Sequence, residues 1–342
     1  MQLKNSLFYI IIIIFLIFLI EIISYGIIKF YKVDRDLFSI HEYTEKTNDE
    51  RLVTLKKNYD VYYKNENMSV ITSKYRTRIS AQEKDLNKLN DQNISKILFL
   101  GDSVPFGYGV DAEDSLPYLF QKNNNNYIVI NGAIPSYSLA QSLARFKIEF
   151  KNIKNLKYVY LQIYDPSSQY GSLGYKWKEG DNWTKKSNQL LRPYNLVDLK
   201  LPFYGEPYFY VFIKKLIIRK KFDDFPFFEP NKESDKRYKK HIKKELNKLY
   251  QEINNINAKL IITPVSIPSH TISKINFLHL RAVNMLNEVL KDFSKKKNVI
   301  FFDTISILKK GLKNNFIDNC CHLSKKGVDI VSSHLSTTLI NL

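Results

Sequence analysis

Between Leu7 and Ile20 every residue is apolar or aromatic, and after Glu21 the run continues to Ile28, interrupted only by Ser24, Tyr25 and Gly26. About 22 such residues make roughly 33 Å of helix at 1.5 Å per residue, the thickness of a bilayer's hydrocarbon core. In lipid the backbone must satisfy its own polar groups, so this segment is confined to one spanning helix. A cleaved signal peptide is the rival reading. Its apolar region runs to roughly 7–15 residues and ends in small residues, whereas this run passes directly into Lys29, Phe30, Tyr31 and Lys32. We therefore expect an uncleaved anchor over residues 1–30. Glu21 is expected at the interface rather than as a functional intramembrane acid. Lys4 stands before the helix and Lys29, Lys32 and Arg35 after it. The positive-inside rule thus leans toward a cytoplasmic main domain, but long domains translocate largely regardless of such charges.

The other 312 residues are globular in composition, with 25% charged and 14% aromatic residues over the whole chain. Cys320 and Cys321, its two cysteines, are adjacent. They supply neither a disulfide framework nor the spaced pairs of a zinc site, and are expected to be small packed residues. The net charge of +18 is concentrated in runs such as Lys214–Lys221 and Lys236–Lys244. Such runs suit anionic headgroups, glycans or nucleic acid, but the joint richness in Lys, Asn and Ile equally fits a bias of composition. No nucleic-acid module accompanies the charge, and no nucleic-acid partner is expected.

Residues 31–95 are polar and tyrosine-rich and read as a stalk and lead-in. From residue 96 strands and helices alternate. Lys96-Ile-Leu-Phe-Leu-Gly101 is a buried-strand run, followed by a helix near Ser115–Lys122 and a strand at Tyr127–Asn131. Leu139, Leu143, Phe146 and Phe150 then share one helix face, and Tyr158–Tyr164 is the third strand. Residues 166–235, with Trp177 and Trp183, form an aromatic-rich insertion. Order resumes with a helix presenting Ile242, Leu246, Leu249, Ile253 and Ile256, a strand at Lys259–Thr263, a helix over about 275–293, a strand at Asn298–Phe302 and a last helix from Ser324 to about Leu339. Strands separated by helices pair in parallel. We expect a three-layer α/β sandwich with about five parallel strands over residues 96–342.

In such sheets ligands gather at the carboxyl ends of the strands. The first strand ends in Gly101-Asp102-Ser103, which makes Ser103 a candidate nucleophile, its own N–H able to face a developing oxyanion. Among the six histidines only His322 lies in a loop just before a helix, and Asp318, four residues upstream, can accept its second N–H. The histidines show no metal-ligand spacing, so neither a metal nor another cofactor is expected. Gly107-Tyr-Gly-Val-Asp-Ala112 fits a dinucleotide fingerprint formally, but it begins six residues past the strand and the next strand ends in Asn131, not an acid. There is no Gly-x-Ser-x-Gly elbow and no P-loop.

Gly101-Asp-Ser-Val-Pro-Phe-Gly-Tyr-Gly-Val110, Asn131-Gly-Ala-Ile-Pro-Ser136 and Asp318–Gly327 resemble, in order, the first, second and fifth blocks of the SGNH (GDSL-type) hydrolases. Ile71-Thr-Ser-Lys-Tyr-Arg76 resembles the segment before the first block in their membrane-anchored members. The resemblance covers about residues 69–340. It implies a flavodoxin-like sandwich and a serine esterase or acyltransferase, with Ser103 as nucleophile, His322 as base and Asp318 as its partner. It also implies an oxyanion hole from the amide of Ser103 and a second-block amide at Ala133 or the adjacent Gly132. With the anchor, it places the domain outside the cytoplasm of a bacterial envelope, with acylated glycan or another ester as partner.

Three departures stand out. Ala133 replaces the second-block glycine. The third block, Leu161-Gln-Ile-Tyr-Asp-Pro-Ser-Ser168, lacks the family's asparagine, which Gln162, Ser167 or Ser168 would have to replace. Asn319 occupies the position usual for the aspartate, so Asp318 must reach through a small bulge. One lost oxyanion donor costs about 10²–10³ in rate. Trp177 and Trp183 are candidates for stacking on sugar. The departures motivate a competing expectation, a non-catalytic glycan-binding or scaffold subunit of polysaccharide assembly.

Overall fold

The computed structural model describes residues 2–30, 42–47, 49–51, 53–63, 68–80, 91, 93–163, 207–210, 212–213, 232–268, 277–308, 312–318 and 320–341. The chain divides into two compact units, 1–40 with 173–226, and 41–172 with 227–342.

The first unit is built on helix α1 (Gln2–Phe30), whose stretch Phe8–Ile27 is long and apolar enough to cross a bilayer. Its side chains from Phe8 to Ile23 are largely exposed. Near its C-terminal end Glu21 accepts the backbone N–H groups of Tyr208 (2.5 Å) and Phe209 (2.9 Å), where a short helical stretch begins. A carboxylate there answers amides that a helix start leaves unpaired. Tyr25 packs edge-on against Tyr208, ring centroids 4.9 Å apart.

The second unit is an α/β sandwich. Its sheet centres on β6 (Ser95–Gly101), which pairs in parallel with β7 (Tyr127–Asn131) on one side and β8 (Leu156–Gln162) on the other. Beyond β8 lie β9 (Lys259–Thr263) and β10 (Val299–Phe301), also parallel. Because side chains alternate across a strand, Ile97, Phe99, Tyr160 and Ile261 enter one core. Helices α3 (Leu116–Asn123) and α8 (Lys325–Ile340) close that core with Leu116, Phe120, Val328, Val331, Leu335 and Leu339. The opposite face of the sheet is covered by α4 (Leu139–Arg145), which runs on through a π turn at 146–150, and by α5 (Lys232–Asn254). Helices α6 (Phe277–Phe293) and α7 (Thr304–Leu308) complete the layers. The expected five parallel strands are all present, and so is the sandwich.

The stalk is corrected. Residues 42–80 belong to this unit and enlarge its sheet to eight strands. Strands β3 (Asp60–Tyr63), β4 (Met68–Thr72) and β5 (Arg78–Ile79) run antiparallel and join the sheet where β5 meets β7 at Arg78 and Asn131. The hairpin-like pair β1 (Thr44–Lys46) and β2 (Val53–Leu55) forms a separate two-stranded sheet. Tyr43, Leu55, Met68 and Val70 pack with Ala133, Ile134, Tyr137 and Phe106 in a second core, and Phe106 ends α2 (Ser103–Phe106). Ions reinforce the join: Arg51 pairs with Glu149, Glu149 pairs with buried Arg145 at 2.9 Å, and Arg145 donates to the carbonyl of Arg76.

Gly101 shows how tightly the central strands are set. Its φ is +126°, and a Cβ there would stand 1.7 Å from the carbonyl oxygen of Gln162. The obstacle is the backbone of Gln162 rather than a side chain that could move aside, so Gly101→Ala is expected to cost at least about 3 kcal/mol. Thermal unfolding of the detergent-solubilised chain by circular dichroism measures it, and an unchanged midpoint would contradict this packing.

Candidate active site

The turn after β6 presents Ser103. Asp102, 2% exposed, caps α2 by accepting the N–H of Val104 at 3.2 Å, while its own N–H donates to the carbonyl of Gln162. Ser103 is therefore the first residue of a one-turn helix hung from the C-terminal end of the central strand. Its carbonyl accepts the N–H groups of Gly107 (3.1 Å) and Tyr108 (2.9 Å).

The opposite wall is the loop before α8. It is closed like a hairpin, since the N–H of Ile317 donates to the carbonyl of His322, that of Ser324 to the carbonyl of Asn315, and Ser324 caps α8 at Gly327. Inside this loop Asp318 Oδ1 accepts three consecutive donors, the N–H groups of Cys320 (3.0 Å), Cys321 (3.1 Å) and His322 (3.2 Å). Its other oxygen lies 2.5 Å from His322 Nδ1, and His322 Nε2 lies 2.8 Å from Ser103 Oγ. A carboxylate at Nδ1 fixes the proton there, leaving Nε2 to accept from the serine hydroxyl. The turn thus brings Asp318 to His322 across four residues.

Burial opposes charge on both members of the pair. It drives Asp318 up, but the His322 bond and charge and the amides of Cys320 and Cys321 outweigh it and hold the carboxyl below its usual range. Burial likewise drives the imidazolium of His322 down, yet the hydrogen bond and charge of Asp318, with help from Cys320 and Asp102, raise it overall.

The other predicted residues fare differently. The N–H of Gly132 donates to the carbonyl of Phe99 at 2.9 Å, so it is spent on the sheet. That of Ala133, fully buried, points at Asn131 Oδ1 at 3.3 Å. Gln162 ends β8 beside Gly101, but its amide lies 3.4 Å from the carbonyl of Pro264 and its oxygen 3.2 Å from Tyr160 Oη. Ser167, Ser168, Trp177 and Trp183 lie outside the described residues, as does the body of the insertion. Cys321 is buried in the core and Cys320 is half-buried beside it; the two are not joined in a disulfide, and their sulfurs lie 2.8 Å apart. Among the described residues no three His, Cys, Asp or Glu side chains gather as a metal site.

Three features escaped the sequence reading. The ring of Tyr108 packs against that of His322 at 4.9 Å. Ser136 takes a left-handed φ of +64° in the turn whose Ile134 N–H bonds the carbonyl of Gly101. Arg78, far upstream, reaches the end of α2. An aromatic between two glycines, as Tyr108 is between Gly107 and Gly109, or a polar residue at a turn's glycine position, carries no distinctive signal in one sequence.

No family model matches the chain, and no curated protein matches it. Among solved structures it is similar to a lipolytic protein of the G-D-S-L family from Desulfitobacterium hafniense DCB-2, at 13% identity over 71% of this chain and 98% of that one, TM-score 0.44. It is similar also to a lipase/acylhydrolase from Enterococcus faecalis (13%, 72% and 95%, TM-score 0.43) and to the psychrotrophic esterase EstA from Pseudoalteromonas sp. (14%, 72% and 97%, TM-score 0.43). Its structural neighbours include GDSL-type lipolytic hydrolases.

The opposed influences on His322 make its titration diagnostic. By NMR its imidazole is expected to titrate above 6.5, and in Asp318→Asn to titrate lower than in the wild type, because burial is then opposed only by Cys320 and Asp102. The raised value also means that the pair's contribution to stability is present below pH 6.5 and fades as pH rises through the folded-state midpoint. Identical midpoints in the two proteins would refute the coupling.

Proposed function

We propose that this chain is a membrane-anchored serine esterase or O-acyltransferase of the SGNH type, acting on ester groups, chiefly O-acetyl, of envelope or extracellular glycan. What carries the reading is the unbroken hydrogen-bond sequence from Ser103 through His322 to Asp318 at the carboxyl end of the central strand.

In this mechanism Ser103 Oγ attacks the ester carbonyl while its proton passes to His322 Nε2. Asp318 keeps the imidazole in the accepting tautomer and stabilises the imidazolium that results. The tetrahedral intermediate collapses as His322 returns the proton to the departing alkoxide, leaving an acyl group on Ser103. Water, or a sugar hydroxyl, then attacks that acyl group with His322 again as base. Hydrolysis and transfer use the same residues and differ in which hydroxyl reaches the acyl-enzyme. The anchor is Phe8–Ile27, and in this reading the catalytic unit lies on the outer side of the bacterial membrane it anchors to.

A second reading, a non-catalytic glycan-binding or scaffold subunit, is favoured by one set of observations. The amides of Gly132 and Ala133 and the side chain of Gln162 all have protein partners, which leaves the Ser103 amide as the one predicted oxyanion donor without such a partner among the described residues.

Fluorophosphonate labelling of the full chain in detergent, with p-nitrophenyl acetate turnover, separates the two. The wild type is expected to label at Ser103 and to turn over ester. Ser103→Ala and His322→Ala should lose labelling and at least about 10⁴-fold in kcat/KM. The acid limb of the kcat/KM profile should lie above pH 6.5, since His322 must be neutral to act. A folded wild type that neither labels nor turns over supports the binding reading and ends the enzymatic one.

A further inference from the structure

Arg78 is an unusual group to find in this core. It lies on β5, 3% exposed, in the lead-in segment rather than in any of the blocks that carry chemistry. Burying a guanidinium is costly unless its donors are answered. Among the described residues it makes four hydrogen bonds, all to backbone carbonyls: Nη1 to Phe106 (2.9 Å) and Gly107 (2.6 Å), Nη2 to Ser69 (2.7 Å) and Val110 (2.8 Å). Its Cζ lies 4.7 Å from the centre of the Phe106 ring. Burial pushes the group down to about 10, against the opposing pull of Tyr43, Asp111 and Glu113, so it remains charged at neutral pH.

Those carbonyls belong to the segment that Ser103 begins. Helix α2 is a single turn, too short to persist by its own hydrogen bonds, and its last carbonyls have no helical partners. A cation at that end is also favoured by the direction of the peptide dipoles. The Ser103 carbonyl takes its two hydrogen bonds from Gly107 and Tyr108, and Arg78 grips the carbonyls of Phe106, Gly107 and Val110 on either side of them. Tyr108, inside the gripped stretch, is the residue whose ring lies against His322. Gly107 leaves room for the grip, since a Cβ there would stand 3.0 Å from Arg78 Nη1. On its far side Arg78 is tied to β4 through Ser69, and Ser69 in turn holds Asp111 by both its N–H and its hydroxyl.

We propose that Arg78 is a positioning residue for the reaction: its guanidinium fork fixes the 103–110 turn against β4 and so sets Ser103 Oγ and the Tyr108 ring relative to His322. The proposal rests on the esterase reading of the site. It assigns the lead-in strands a part in the chemistry, although no atom of Arg78 is placed on the substrate. A shift of the order of an ångström in such an arrangement costs about 10² in rate, and a lysine cannot span the four carbonyls as a planar fork does.

The test uses the full chain in detergent, with Arg78→Ala, Arg78→Lys and, as a control for general destabilisation, Leu249→Ala on the far helix α5. Each rate is normalised to the folded fraction. Arg78→Ala is expected to label with fluorophosphonate about 10²-fold more slowly and to lose kcat on p-nitrophenyl acetate with KM unchanged. Arg78→Lys should be intermediate, and millimolar guanidinium should restore Arg78→Ala while leaving the wild type unaffected. Leu249→Ala should melt earlier yet label at the wild-type rate. Wild-type rates per folded molecule in Arg78→Ala overturn the proposal; so do losses that guanidinium does not reverse and Arg78→Lys shares in full. If Arg78→Ala does not fold, Arg78→Lys carries the comparison. If the wild type itself fails to label, the esterase reading falls, and the proposal is decided by ¹⁵N spectra of the His322 ring. Displaced ring signals in the Arg78 variants, absent in Leu249→Ala, keep the positioning role, and superimposable ones remove it.

Discussion

Strand β6 is paired along both edges and covered on both faces, and its residues Ile97 to Leu100 are wholly buried. A run of apolar side chains on both faces is the signature of a parallel strand sandwiched between helices. Its carboxyl end is consequently held by packed backbone on several sides. Gly101 presses against the backbone of β8, its carbonyl holds Ile134 of the loop after β7, and Asp102 bonds both to Gln162 and to the start of α2. Ser103 inherits its position from these contacts. A nucleophile placed by packed backbone needs little reorganisation when it is used.

The partner of Ser103 is placed by a different device. Asp318 spends one oxygen on three successive amides and the other on His322, so a half-exposed carboxylate is oriented by backbone rather than by packing. This explains how a spacing of four residues works: the turn curls around Oδ1, bringing the ring and the carboxylate together. The exposed cations contrast with this. On α5, Lys239 and Lys243 reach Glu288 and Asp292 on α6, while Ile242, Leu246, Leu249 and Ile253 on the inner side hold the helix to the sheet. Exposed pairs of this kind contribute about 0–1 kcal/mol, so the apolar face places the helix and the lysines keep it soluble.

The parallel strands were legible in the sequence because each is a run of apolar residues bounded by turns. Tyr127–Asn131 and Lys259–Thr263 fall where the pattern puts them. The chain order Ser103, Asp318, His322 was readable because Ser103 follows the first strand, His322 lies in the loop before the last helix and Asp318 stands four residues upstream of it. Residues 42–80 were not readable as part of the sheet. Their strands are two to five residues long, β3 alternates between exposed and half-buried positions, and β5 consists of Arg78 and Ile79 alone. Such pieces bury little surface individually and gain stability from long-range contacts, the pairing of β5 with β7 and packing on Phe106, Ala133, Ile134 and Tyr137, which local periodicity does not record. The grip of Arg78 was hidden for the same reason: its partners are carbonyls, and a carbonyl has no identity in the sequence.

Joining the lead-in to the sheet changes what the second core is for. Phe106 is the last residue of α2, and it is covered by Tyr43, stacked at 5.4 Å, and by the guanidinium of Arg78. Ala133, Ile134 and Tyr137, from the loop that passes Gly101, enter the same cluster. The turn carrying Ser103 is thus held from β6 on one side and from residues 43–79 on the other. Taken away, that second support would expose Phe106 and remove the Arg78 donor from the carbonyls of Phe106, Gly107 and Val110, leaving Phe106 only Asn131 Nδ2 and Gly107 only the N–H of Val110. A one-turn helix has no internal means of replacing either. The strands that precede the first block are in this sense half of the mounting for the candidate nucleophile.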